Sequence, residues 1–485
     1  MTAPDDERLL TGVSGFDEIL HGGLLPRRAY LIRGGPGSGK TTLGLHFLLS
    51  GPREDSLFVT LGESERQLRE NAARCGLPMD GVDVLDLSPG QDEESSGAYS
   101  LLESWDVEGN TVHDGILEHV REHKPRRILI DSLSQMRYLS VDTFQFRKKV
   151  LSLLRKLIAE ESTVAFTSEQ ASVEDDEALP FLSDGVINLE NSEIGRQCRI
   201  TKLRGSSFAE GAHYFSLGEE GMTLYPRLMP EQHGRSVEHE PLGSGIDEFD
   251  ALTHGGIERG TVTLLSGPTG VGKTTLGAQL ACAAAARNER SAIYSFDEGA
   301  STFFTRCEQV GLPAQSLVDS GNLVFEAVEP LHYNPDRFAA VVRKEIEERG
   351  TSLVMIDSLS GYQHSVHGED LQLRVHALCR YLVNMGITVV LVNEVYSIAG
   401  AQTKVTEYGL SYIADNIIML RYMELDGELR KSIGVLKKRA GSFERSLREF
   451  EITSEGLRIG LPLRGMRGIL SGTPELTTSS PRDPT

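Results

Sequence analysis

Basic charge is scarce in this 485-residue chain, where 49 lysines and arginines face 70 aspartates and glutamates for a formal net charge of -21. Nucleic acid, which is gripped through clustered cations, is therefore not the expected main partner. Cysteine is equally thin: Cys75, Cys198, Cys282, Cys307 and Cys379 are scattered with no CxxC pair. Neither a cysteine zinc site nor a disulfide framework is indicated, and buried thiols are the expectation. No apolar run reaches the roughly 18 residues that span a bilayer. The opening residues, MTAPDDERLLTGVSG, lack the basic-then-apolar order of a signal peptide. A cytoplasmic location, away from any membrane, is the default expectation. What is present, 39% hydrophobic and 25% charged residues, suits a globular chain long enough for two domains with separate cores.

That length is filled by a duplication. SGFDEILHGGLLPRRAYLIRGGPGSGKTTLG from Ser14 returns as SGIDEFDALTHGGIERGTVTLLSGPTGVGKTTLG from Ser244, and Lys40 and Lys273 stand 233 positions apart. Such an offset is a domain length, not a solenoid period. Collinear echoes follow: GES at Gly62 and DEG at Asp297, Gly-Leu-Pro at Gly76 and Gly311, RILIDSLS and LVMIDSLS, KLRGSSF and LKKRAGSF. Short β-branched runs (LFVT, ILID, VAFTS; AIYSF, LVMID, ITVVLVNE) alternate with amphipathic stretches long enough for helices. This alternation predicts an α/β class with crossovers and, in each half, a mainly parallel twisted sheet flanked by helices. The expected domains are 8–228 and 241–462, joined by the polar linker 229–240 and followed by a Pro, Ser and Thr-rich tail, 463–485, expected to be flexible. The acidic stretch GQDEESSGAYSLLESWDVEGN around Trp105 has no counterpart in the second half and reads as a surface excursion.

Both halves carry G-x-x-x-x-G-K-T between an apolar strand and a helix. In the first it is Gly34, Gly35, Pro36, Gly37, Ser38, Gly39, Lys40 and Thr41, continued by Thr42; in the second it is Gly267, Pro268, Thr269, Gly270, Val271, Gly272, Lys273 and Thr274, continued by Thr275. Glycine is needed where backbone N–H groups crowd round phosphate oxygens, because a side chain would block the approach. Lys40 and Lys273 meet the outer phosphates, Thr41 and Thr274 offer hydroxyls to magnesium, and the helix N-terminus adds its dipole. ATP with Mg2+ is the expected ligand. Asp131 closes RILID and Asp357 closes LVMID, where a carboxylate can hold the water shell of magnesium or simply cap the next helix. An acid follows the second strand: Glu63 in FVTLGES, Asp297 and Glu298 in YSFDEGA. Each can orient or deprotonate a water attacking the γ-phosphate, or merely face a helix N-terminus. Late in each half a K-x-R pattern, Lys202 with Arg204 and Lys437 with Arg439, falls on an expected strand, where alternate residues share a face. Supplied by a neighbouring subunit, such a pair can neutralise charge building on the γ-phosphate; a solvated basic strand is the alternative.

Together these residues resemble the KaiC-like family of RecA-type ATPases. The resemblance runs from about Leu10 to Pro474 through SGFDEILHGGL, the doubled P-loops, KLRGSSF and NIIMLRYMELDGELRKSIGVLKKR. It implies two tandem RecA-like domains and a homo-oligomer, a hexameric ring with ATP at subunit boundaries, in which Lys202, Arg204, Lys437 and Arg439 touch a neighbour's nucleotide. It further implies ATP hydrolysis chiefly in the first domain, serine/threonine autokinase activity in the second, and regulatory protein partners. In TEYGLSYIADNIIML, Ser411 falls on the family's acceptor serine and Tyr412 replaces its threonine, with Thr406 close by in sequence. The family's paired catalytic glutamates also change, Gly62 taking the first place in domain one and Asp297 in domain two. Two other functions use the same core. One is a RecA/RadA-type ATPase stimulated by nucleic acid, against which the charge of -21 and the lack of a basic, aromatic-rich loop both speak. The other is a nucleotide-gated scaffold in which slow hydrolysis times partner exchange.

Overall fold

The computed structural model describes residues 8–88, 104–138, 142–169, 179–235, 240–365, 371–395, 410–425, 427–469 and 475–476, which fall into two compact units, Met1–Arg227 and Leu228–Thr485. The first unit runs α1 (Phe16–Ile19), β1 (Ala29–Gly34), α2 (Lys40–Leu49), β2 (Ser56–Thr60), α3 (Glu65–Arg74), β3 (Asp83–Asp86), α4 (Ser104–His123), β4 (Arg127–Asp131), α5 (Leu133–Tyr138), α6 (Thr143–Ala159), β5 (Thr163–Glu169), α7 (Leu179–Leu182), β6 (Gly185–Ser192), β7 (Gly195–Leu203), β8 (Ala212–Gly218) and β9 (Gly221–Tyr225). The second opens on β10 (Pro241–Leu242), α8 (Asp247–Leu252) and β11 (Ile257–Glu258) and then repeats the series. It continues with β12 (Val262–Gly267), α9 (Lys273–Ala286), β13 (Ser291–Ser295), α10 (Ala300–Gln309), α11 (Ala314–Asp319), β14 (Leu323–Ala327), α12 (Pro335–Arg349), β15 (Leu353–Asp357), α13 (Leu359–Ser365), α14 (Leu371–Asn384), β16 (Thr388–Glu394), β17 (Asn416–Leu425), β18 (Glu428–Lys438), β19 (Arg448–Thr453), β20 (Gly456–Pro462), β21 (Met466–Arg467) and β22 (Glu475–Leu476).

Each unit is built on one nine-stranded sheet, in the order β3-β2-β4-β5-β1-β6-β7-β8-β9 and then β14-β13-β15-β16-β12-β17-β18-β19-β20. Pairings from β3 through β1 to β6 are parallel, and β6 to β9 form an antiparallel meander; the second sheet is wired alike. Parallel strands need crossover helices, and those helices cover both faces, so the strands read as nearly unbroken apolar runs. Alternation then divides the side chains between two cores. Tyr30, Ile32, Phe58, Leu129 and Ala165 join one with α2 residues Leu43, Leu45 and Phe47. Their neighbours Leu31, Leu57, Val59, Ile128, Ile130 and Phe166 join the other with α6 residues Phe146, Val150, Leu153 and Leu157, which recur at helical spacing. The side chain of Asp142 caps α6 by accepting from Gln145 N.

The chain leaves β1 and β12 toward strands on one side and comes back to β6 and β17 on the other. Such a reversal opens a crevice at the carboxyl ends of the strands, where ligands settle in open α/β sheets. Both glycine-rich loops lie there. Within the expected linker, Pro230–Gln232 form a short 3-10 turn, while 236–239 lie outside the described residues. So do 90–103 of the acidic stretch, Thr406 and most of the tail; residues 104–110 of the acidic stretch open α4. Among the described residues, no helix is long and apolar enough to cross a membrane.

Candidate functional site

Each phosphate loop is a tight turn between a buried strand and an uncapped helix. Gly37 and Gly39 have φ of 67° and 94°, matched in the second unit by Gly270 at 75° and Gly272 at 117°, a region in which L side chains are strained. A Cβ placed on Gly37 would meet nothing within 4 Å, whereas one on Gly39 would press on Met222 Cε at 2.9 Å. The loop is thus open on its ligand side and closed on its packing side. No side chain caps α2 or α9, so their first N–H groups are free to face an anion. Lys40 Nζ donates to Gly34 O and Gly35 O, both at 2.9 Å, and Lys273 Nζ to Pro268 O at 2.8 Å. Burial pulls both ammonium groups below their usual pKa, opposed by Asp131 and Glu169 around Lys40 and by Glu394, Asp357 and Asp297 around Lys273.

The strand-ending aspartates reach the threonines that follow the lysines. Thr41 Oγ1 donates to Asp131 Oδ2 at 2.5 Å, and Thr167 Oγ1 on β5 donates to Oδ1 at 2.5 Å. In the second unit the register places Val392 where Thr167 stands. Burial pushes the Asp357 carboxyl up to about 6, with Thr274 as a hydrogen-bond donor working against it and Asp297 and Glu298 adding to it. A hydroxyl and a carboxylate beside the phosphate loop are the hard oxygen donors that Mg2+ prefers. The acids after β2 and β13 sit in matching turns, Glu63 N donating to Thr60 Oγ1 and Glu298 N to Ser295 Oγ. Their carboxylates differ in company. Asn71 Nδ2 approaches Glu63 Oε2 at 3.5 Å, whereas Arg306 binds Glu298 closely through Nη2 and donates from Nη1 to Thr275 Oγ1 at 3.2 Å. Asp297 is exposed, with Gly361 of α13 beside it.

The K-x-R residues and Ser411 gather elsewhere, at the amino edge of each sheet. Lys202 and Lys437 belong to β7 and β18, and Arg204 and Arg439 lie just beyond those strands. Lys202 Nζ donates to Pro180 O at 2.7 Å and Ser183 O at 2.6 Å; Lys437 Nζ donates to Ser411 O at 3.2 Å and Ala414 O at 2.7 Å. Arg204 pairs with Asp184 at 3.7 Å and Arg439 with Asp415 at 2.8 Å, and these guanidinium side chains remain 57% and 60% exposed. The two aspartates in turn accept from the first amides of β1 and β12, Ala29 N and Val262 N. Both cations of each pair therefore serve the segment before β6 or β17, the lysine by fastening it and the arginine by reaching outward from it. Ser411 is half-buried in the 3-10 turn Leu410–Tyr412, whose Tyr412 lines a cavity of about 620 Å³ together with His376, Arg380, Asp415 and Arg439 among others.

A family model described as "ATPase: KaiC" matches the chain twice, over residues 9–229 and 242–463. The chain belongs to the KaiC ATPase family. It is 28% identical over 98% of its length to the circadian clock oscillator protein KaiC of Parasynechococcus marenigrum (strain WH8102), covering 94% of that protein. It is 29% identical to the circadian clock protein KaiC3 of Synechocystis sp. (strain PCC 6803), with 98% of this chain and 96% of the relative aligned, and 27% identical to KaiC of Prochlorococcus marinus (strain MIT 9313), with 98% and 97% aligned. Membership makes the protein an ATP-binding ATPase, and the doubled match agrees with its two sheets.

Three features of this KaiC-family chain escaped the sequence reading. Glu169 and Glu394 end β5 and β16 in register with each other and carry charge toward Lys40 and Lys273. The paired runs TVAFTSE and TVVLVNE held that signal. Arg196 and Lys431, displaced from Lys202 and Lys437 by the same interval, donate to the loop carbonyls of Gly37 at 2.8 Å and Gly270 at 3.4 Å. Arg306 answers Asn71 at the equivalent place, and no motif marks it because its partner is a fold contact.

Proposed function

We propose that the protein hydrolyses ATP with Mg2+ in both units of a ring and phosphorylates itself by transfer to Ser411 in the second unit. The observation that carries this reading is a separation. Lys273 lies past the carboxyl end of β12, whereas Ser411, Lys437 and Arg439 lie at its amino end, and the six residues of β12 span about 20 Å. Direct transfer demands contact between the attacking oxygen and phosphorus, so Ser411 receives phosphate from the nucleotide of another copy. A closed ring of such head-to-tail contacts is the simple solution, and a hexamer is the family's expectation.

In this reading the loop amides and Lys273 hold the β- and γ-phosphates, while Arg439 of the adjoining subunit faces the γ-phosphate. Thr274 and Asp357 in one site and Thr41 and Asp131 in the other would hold Mg2+, which would supply charge neutralisation at the phosphates. With Glu298 tied to Arg306, Asp297 is the carboxylate left to accept the Ser411 hydroxyl proton as the Ser411 oxygen attacks phosphorus and ADP departs. In the first unit Glu63 orients water instead. Mixing decides the matter. Lys273→Ala chains keep the serine and lose nucleotide grip, and Ser411→Ala chains do the opposite. Neither alone should take up label from γ-labelled ATP, whereas co-assembled chains should label Ser411. An unlabelled mixture removes the transfer step.

A further inference from the structure

Away from both phosphate loops, the first unit brings together three metal-ligating side chains that the proposed function leaves without a task. Asp83 opens edge strand β3, and His119 and His123 close α4, one turn apart on the same face of the helix. The ligand atoms of the three all lie within 4.8 Å of one another. His119 Nε2 is 2.5 Å from Asp83 Oδ2, and the two imidazoles stack with centroids 4.2 Å apart. His123 Nδ1 sits 3.0 Å from the carbonyl oxygen of His119. Donation from Nδ1–H to that carbonyl fixes the tautomer and leaves Nε2 with a lone pair, the arrangement by which backbone carbonyls orient metal-bound histidines.

The duplication supplies an internal comparison. Arg127 and Leu353 begin β4 and β15 in equivalent register, and the connections from α4 and from α12 have the same length. His119 and His123 therefore correspond to Glu345 and Arg349, and Asp83 to Val324. There the second unit uses an ion pair, Arg349 with Glu345 at 3.4 Å, joined by Arg290 at 2.6 Å. Holding this helix to the sheet takes only a carboxylate and arginines. The first unit instead presents two imidazole nitrogens and a carboxylate oxygen, a donor set suited to zinc and similar divalent ions.

We propose that Asp83, His119 and His123 bind a divalent transition metal of the zinc type, clamping the end of α4 to the edge of the sheet. Ligands at about 2.0–2.2 Å round a tetrahedral ion lie roughly 3.4 Å apart, so side-chain rotation suffices to close the site. Exposed His123 leaves the remaining coordination to water. When the ion enters, any proton shared by His119 and Asp83 passes to solvent. The site lies at the amino edge of the sheet and at its outermost strand, remote from the phosphate loop after β1.

Untagged full-length protein, stripped with chelator and kept in excess Mg2+, is titrated with Zn2+ by calorimetry and with Co2+ by visible absorption. One Zn2+ per chain should bind, weakened at least about tenfold in His123→Ala and abolished in the His119→Ala/His123→Ala pair, with the Co2+ ligand-field bands lost in parallel. Magnesium-dependent ATP binding serves as the control for folding and should not move. Wild type that takes up no Zn2+, or a double variant that binds it unchanged, overturns the assignment. If the double variant does not fold, unaltered binding by His123→Ala, whose exposed ring can be removed without disturbing the core, does so equally.

Discussion

Gly62 precedes Glu63 where the second unit carries Asp297 before Glu298, and nothing in its surroundings requires glycine. A Cβ there would find only Gln135 Nε2, at 3.8 Å. Gly62→Glu should therefore fold and give the first unit a second acid for orienting water. In a Lys273→Ala background, where only the first unit turns over, phosphate release should rise about tenfold, short of the full effect of adding a general base because Glu63 is already present. An unchanged rate would mean that position 62 does not face the phosphates. At this scale much of the site was legible: the loop glycines, the lysines and the strand-ending aspartates follow from what phosphate and magnesium require. The hold of Arg306 on Glu298 was not. It joins α10 to the turn after β13, and residue type alone does not reveal which of two neighbouring acids is already paired.

Among the elements, α2 is pinned to β9 by one histidine. His46, 9% exposed, accepts from Met222 N at 2.8 Å through Nε2, and a Cβ on Gly221 would strike that ring at 2.2 Å. Burial lowers its pKa below the ordinary 6.5, a main-chain bond at Gly12 opposing in part. The sign follows: a neutral histidine in the fold contributes stability that is fully present above about 6.5 and is lost as pH falls through its lower folded value. Relative to the intrinsic rate, which itself slows as pH falls, hydrogen exchange at the Met222 amide should show a growing excess between pH 7.5 and pH 5.5. His46→Gln, which keeps an acceptor but cannot gain a proton, should remove that excess. If the excess persists in the variant, other groups carry the acid sensitivity. The helix itself was plain from sequence, since it follows the loop motif. That His46 meets β9 was not, because the contact joins residues far apart in the chain.

For the whole molecule, if the K-x-R cations act on nucleotide as proposed, the placement of phosphate loops and K-x-R residues at opposite edges of each sheet makes assembly a condition of activity. Mass in solution should rise from a smaller species to a ring when Mg2+ and ATP are added, and Lys40→Ala should impair this rise more than Lys273→Ala. A monomer in both conditions would contradict shared sites. Equal defects from the two substitutions would mean that the duplicated units are not specialised.

By itself the sequence determined the duplication, the α/β alternation and the two phosphate cradles, because glycine spacing, apolar periodicity and lysine position are local demands of backbone and phosphate chemistry. Only the tertiary structure decided that Lys202 and Lys437 fasten their own chain while Arg204 and Arg439 point outward. It alone placed Ser411 a strand's length from its own nucleotide loop and brought Asp83 to His119 and His123. Those relations depend on strand order and register, which arise from packing between segments distant in sequence.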